Sequence, residues 1–137
     1  MTPAPVDGTG GRHYLWGGGC DGWHLLEAPD LSVIRERVPP GYGETPHVHA
    51  RARQYFHILS GRAIMEFADG DVPLQAGQGL HVAPGVAHRF VNRSDDEVVF
   101  LVISAPPTAG DRIELPAAGW RDTGDSQAVS PAPSGSG

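Results

Sequence analysis

The sequence predicts an all-β fold, a set of short strands closed into a sandwich or barrel. Two observations carry that expectation. The chain has 19 Gly and 13 Pro in 137 residues, far more turn-formers than a helix bundle tolerates. It also divides into roughly ten short apolar or alternating runs, with turn signals about every eight to twelve residues.

The elements follow in order. Residues 1–11 are rich in Pro and Gly and are expected to be flexible. Residues 13–16 (His-Tyr-Leu-Trp) read as a strand closed by three glycines, and 23–27 as a second. In 31–38, Leu31 and Val33 alternate against Arg35 and Arg37, but the pattern slips near Ile34 and leaves the inward face open. Pro39-Pro40-Gly41 ends that strand. Residues 46–49 form a short strand and 50–53 a polar bend. Residues 55–59 are a buried strand that stops at Ser60-Gly61. Residues 62–68 return, and Asp69-Gly70 is a hairpin turn into 71–76. Strands at 80–83, 87–92 and 97–104 complete the set, and 111–115 adds an edge strand or arm. The expected domain is 12–115. Residues 116–137 are expected to be a disordered tail, since 122–137 is dominated by Ser, Pro, Gly and Ala.

Composition narrows the function. A net charge of −6 disfavours nucleic acid, which needs a basic face to displace counterions. All ten basic residues are Arg, so a Schiff-base or phosphate-cradling lysine is excluded. The single cysteine, Cys20, has no internal partner and reads as a free thiol of a reducing compartment. The N-terminus has neither a basic start nor an apolar core, and no apolar run approaches the roughly 20 residues of a membrane span. A cytoplasmic, membrane-free protein is expected.

The chemistry concentrates in two stretches. In 41–61, His47 and His49 lie two apart on a strand, so both imidazoles share a face, and Gln54 follows five residues later. In 77–92, His88 sits in Ala-Pro-Gly-Val-Ala-His-Arg-Phe-Val-Asn. The spacing Gly41, His47, His49, Gln54, Gly61, followed by Gly77, Gly85, His88, Asn92, resembles the paired motifs of the cupin superfamily in its small single-domain form. Gln54 stands where that pattern usually has Glu, and Ala83 where it usually has Pro.

The resemblance implies a double-stranded β-helix, or jelly-roll barrel, that pairs as a homodimer. It implies one divalent transition metal (nickel, zinc, manganese or iron) held by His47, His49, Gln54 and His88 in the barrel mouth. Three imidazoles and an amide oxygen form an uncharged set, which leaves the ion its full charge. That favours Lewis-acid over oxygen-activating chemistry. The expected function is a non-redox isomerase, lyase or cyclase acting on a small oxygen-rich molecule. Cupins with a similar Gln ligand act on uronate sugars or polyketides. An iron-dependent dioxygenase and a non-catalytic binding or regulatory module are the alternatives.

Candidate proton-moving residues are His57, if a bulge turns it inward, and Tyr42 and Glu44 in the loop before His47. Arg35 or Arg37, facing inward, would bind a substrate carboxylate. His81 is a candidate outer support to the ligands. Strict alternation puts Arg89 outward and Phe90 and Asn92 on the His88 face. Phe56, Ile58, Ile64, Met65, Phe67, Phe100 and Val102 are the expected lining and core.

Overall fold

Two antiparallel sheets face each other across a phenylalanine-rich core. The computed structural model describes residues 2–121 and the backbone of Pro133–Ser134. Among these, the strands in chain order are β1 (Arg12–Trp16), β2 (Cys20–Glu27), β3 (Ser32–Val38), β4 (His47–Val48), β5 (Arg53–Ser60) and β6 (Arg62–Phe67). They continue with β7 (Gly70–Gln75), β8 (Gly79–Val82), β9 (His88–Val91), β10 (Val98–Ala105), β11 (Arg112–Glu114) and β12 (Pro133–Ser134). The first sheet runs β1-β2-β3-β10-β5-β8 and the second β12-β11-β4-β9-β6-β7. This is the expected all-β double-stranded β-helix.

Alternation decides what each strand buries. On β5, Gln54, Phe56 and Ile58 are buried while Arg53, Tyr55 and Leu59 are exposed. On β3 the slip near Ile34 resolves in favour of the even positions. Ser32, Ile34 and Val38 are buried, and Glu36 shares their face. On β6 the inward residues are Ala63 and Met65, so Ile64 lies on the opposite face, outside the core in which it was expected. Phe56, Phe90 and Phe100 meet at the centre, with the Phe90 and Phe100 rings stacked at 4.0 Å across the two sheets. Burying each such ring stabilises the barrel by about 2–3 kcal/mol.

Two glycines hold the ends together by close approach. A Cβ at Gly61 would lie 2.3 Å from the Glu97 carbonyl oxygen, and its φ of +82° is left-handed. A Cβ at Gly43 would lie 2.7 Å from the Phe90 carbonyl oxygen. The loop before β4 therefore lies directly on β9, bridged from Gly43 to Val91.

The chain stays packed past the boundary expected at 115. Trp120 and Leu115 are buried with Ala87, and Val48 packs against them. Arg121 reaches Glu66 at 2.8 Å and Asp71 at 2.6 Å. Apart from β12, the tail expected to be disordered, 122–137, lies outside the described residues. No helix among the described residues is long and apolar enough to cross a membrane.

Candidate metal centre

The two sheets bring three histidines to one place. His47 on β4 pairs directly with His88 on β9, so their side chains stand side by side on the inner face. The two rings lie 4.4 Å apart. His49 follows just past β4, and its ring is 4.9 Å from that of His47. One ligand atom from each of the three falls within 4.8 Å of the others. All three residues are buried.

Each imidazole is locked by a backbone carbonyl. Nδ1 of His47 meets Thr45 O at 2.7 Å, Nδ1 of His49 meets Asp111 O at 2.7 Å, and Nδ1 of His88 meets Val86 O at 2.9 Å. A carbonyl only accepts, so each Nδ1 carries the proton and each Nε2 presents a lone pair. Burial drives all three rings below their ordinary histidine range, His47 well below and His88 down to about 3. They are therefore neutral near pH 7, the state a metal ligand needs.

The decisive feature is what stays unsatisfied. Gln54 reaches in from the first sheet, and its amide nitrogen donates to Ser104 Oγ at 3.2 Å. That bond fixes the amide and leaves Oε1 buried without a partner; His88 Nε2 is buried without one as well. An unpaired buried acceptor costs about 1–3 kcal/mol, so an unpaired ring nitrogen in the histidine cluster and an unpaired amide oxygen on the inward face of β5 each call for a group that fills them. A divalent cation fits this donor set of imidazole nitrogens and amide oxygen.

Asp111 organises the centre from a distance in sequence. Its carboxylate accepts the N–H groups of Ala50, Arg51 and Ala52, while its carbonyl holds His49. Burial alone would raise its pKa, but those three donors outweigh it and hold the carboxyl below its usual range. No local motif marks this residue, because its partners lie some 60 positions away in the chain.

The other expected residues separate cleanly. Glu44 joins the site: Oε2 lies 3.9 Å from His47 Nε2, and Oε1 accepts the Phe90 N–H at 3.0 Å. His57 does not join it. It faces outward on β5 beside the Tyr55 hydroxyl at 3.1 Å, with no bulge at its position. Tyr42 is exposed over the glycine turn at Gly18 and Gly19. Arg35 stacks on Trp23, Arg37 pairs with Asp21 and Glu97, and His81 meets Arg53; all three lie outside the barrel. Arg89 points outward to Glu66, while Phe90 and Asn92 are buried, as alternation requires.

Residues 34–104 match the family model described as a cupin domain. The chain belongs to the cupin family. Among curated relatives of this cupin, the protein SchB of Streptomyces halstedii is 32% identical over 95 residues, 69% of this chain and 65% of that protein. Polyketide synthase CurC of Streptomyces cyaneus is 30% identical over 67 residues, 49% of this chain and 41% of that protein. The cupin thus matches under two thirds of either relative's length. Among solved structures, the polyketide cyclase RemF of Streptomyces resistomycificus superposes with a TM-score of 0.69 at 18% identity, covering 77% of this chain and 81% of that one.

Sequence reasoning missed two further groups near the centre. Glu36 faces inward from β3 and accepts the Tyr14 hydroxyl at 2.5 Å. Arg112 on β11 lines the same space as Glu36 and Glu44. Glu36 was findable, because Arg35 and Arg37 outward force it inward.

Proposed function

We propose that this cupin is a metal-dependent, non-redox catalyst of the isomerase, lyase or cyclase type acting on a small oxygen-rich molecule. The observation that carries the reading is the cluster of three buried, neutral imidazoles, supported by the orphaned His88 Nε2 and Gln54 Oε1. His47, His49 and His88 would hold a divalent transition ion through Nε2, and Gln54 through Oε1. The bound ion supplies Lewis acidity towards a substrate oxygen.

The chain's own residues do the rest. The backbone carbonyls of Thr45, Val86 and Asp111 keep the three rings aimed inward. Glu44 is the proton-transfer group: the Phe90 N–H anchors Oε1 and leaves Oε2 facing the centre. The Phe56 ring, 6.2 Å from that of His88, closes the floor against water. The absence of a carboxylate among the four donors favours non-redox work over oxygen activation. CurC is named a polyketide synthase and RemF a polyketide cyclase, which directs the reading towards a polyketide as the substrate.

The cupin also pairs as a homodimer through the outer face of its first sheet. Tyr55 and Leu59 are exposed there beside half-buried Leu101 and Ile103. Light scattering on the purified chain checks this, with twice the chain mass expected.

The catalytic test uses chain loaded separately with nickel, zinc, manganese and iron and incubated with linear β-polyketones. Mass spectrometry under argon and under air reads the outcome. An isomeric or dehydrated product in both atmospheres is expected. Oxygen uptake and oxygen-bearing products confined to the iron sample would contradict the non-redox reading.

A further inference from the structure

A cavity of about 280 Å³ is connected to the histidine centre through Glu44, and most of its lining groups play no part in that centre. Tyr14 and Trp16 from β1 form one wall. Glu36 from β3, Glu44 and Thr45 from the loop, and Arg112 and Glu114 from β11 also line it. Glu44 belongs to both places, since it is also 3.9 Å from His47 Nε2. Among the described residues, His88 Nε2 of that centre and Gln54 Oε1 on β5 are buried without a partner.

The lining has a definite chemistry. Two aromatic side chains offer flat apolar surface, and three carboxyl groups stand among them. The cation Arg112 is engaged by Glu114 at 3.4 Å and the Thr45 carbonyl at 3.5 Å. A carboxylate on a ligand would therefore meet acids rather than a free guanidinium. We infer that this cavity takes a neutral ring compound bearing hydroxyl groups, with Glu36, fixed by the Tyr14 hydroxyl, holding one hydroxyl while another oxygen faces Glu44 and the histidines. Burial pushes the Glu36 carboxyl up to about 8, against the Tyr14 bond and with the help of the Glu44 charge. Near neutral pH it thus offers a ligand both a donor and an acceptor. The inference deepens the functional reading above, because Glu44 ties the cavity to the metal centre.

Resorcinol and isophthalate test it, since they share a ring and differ in carrying two hydroxyls or two carboxylates. Each is titrated by calorimetry into chain whose zinc content is measured on the same sample. Resorcinol is expected to bind at least about tenfold more tightly than isophthalate. Glu36→Ala should weaken resorcinol about tenfold, the worth of one hydrogen bond to such a group. Glu36→Gln, which keeps a donor and an acceptor, should recover most of the loss, and His57→Ala on the outer face should change nothing. Isophthalate binding as tightly as resorcinol, no resorcinol binding, or unchanged affinity in Glu36→Ala would each overturn the assignment. A chain that takes up no zinc yet keeps the preference for resorcinol would lose the metal reading and retain the cavity.

Discussion

Two buried polar clusters in this barrel are built on opposite plans. On the outer face of the second sheet, Glu66 is fully buried and surrounded by arginines: Arg89 at 2.8 Å, Arg121 at 2.8 Å, and Arg93 in close contact. Burial would raise its pKa, but Arg121, Arg89 and Arg93 outweigh burial and hold it below the usual carboxylate range. In the second cluster, His47, His49 and His88 are just as buried, yet His88 Nε2, like Gln54 Oε1 on the inward face of β5, meets no partner. The first cluster closes on itself and pins the 115–121 segment to the sheet. The second leaves its acceptors bare, at a cost that folding alone gives no reason to bear. A satisfied cluster marks structure, and an unsatisfied, well-oriented one marks a site.

The sharpest way to break the comparison is to delete the open cluster. His47→Ala with His49→Ala should abolish zinc uptake in calorimetry while the far-ultraviolet circular dichroism of the barrel persists. Loss of the barrel itself would mean the histidines serve folding. Asp111→Ala comes next, because it frees both the 50–52 backbone and the residue that orients His49. It should cost about 2–3 kcal/mol in urea denaturation and weaken zinc binding roughly tenfold or more. Glu66→Gln should cost about 2 kcal/mol, discounted because its arginine partners are partly exposed, and should leave zinc affinity unchanged.

Acidity separates the clusters further. The histidines have lowered pKa values in the fold, so the unfolded chain binds more protons and stability falls as pH drops below about 6.5, towards about 3 for His88. The Glu66 contribution is complete above its ordinary 4.5 and is lost only below it. Melting curves of metal-free chain should therefore decline already between pH 6.5 and 4.5. The His47→Ala, His49→Ala variant should be flatter in that window, and Glu66→Gln should match the wild-type slope there. The smallest structural effect belongs to Gln54→Glu: stability should move by less than about 1 kcal/mol while metal preference changes. Unchanged metal content and affinity in that variant would remove Gln54 from the ligand set.

Much of this was legible in the sequence. Turn residues and alternation located the strands, and two spaced motifs located the buried cluster of His47, His49 and His88. Local periodicity works where one strand face is simply apolar. It failed at Ile64 and stalled at Ile34, where both faces of the strand carry mixed residues. His57 could be placed only by seeing that β5 runs without a bulge at that point. Asp111 and Trp120 were invisible because their roles depend on a C-terminal segment folding back over β4 and β9, and no short-range pattern encodes such contacts. Glu36 lay within reach of alternation, but an acid between two arginines on a strand reads first as part of a solvated face.

The most direct test of the metal centre is elemental analysis of wild-type chain purified without chelator. About one divalent transition metal per chain is the expected result. No metal as purified, together with no uptake of added zinc, nickel or iron, would contradict it and leave the orphaned Gln54 and His88 atoms without an explanation.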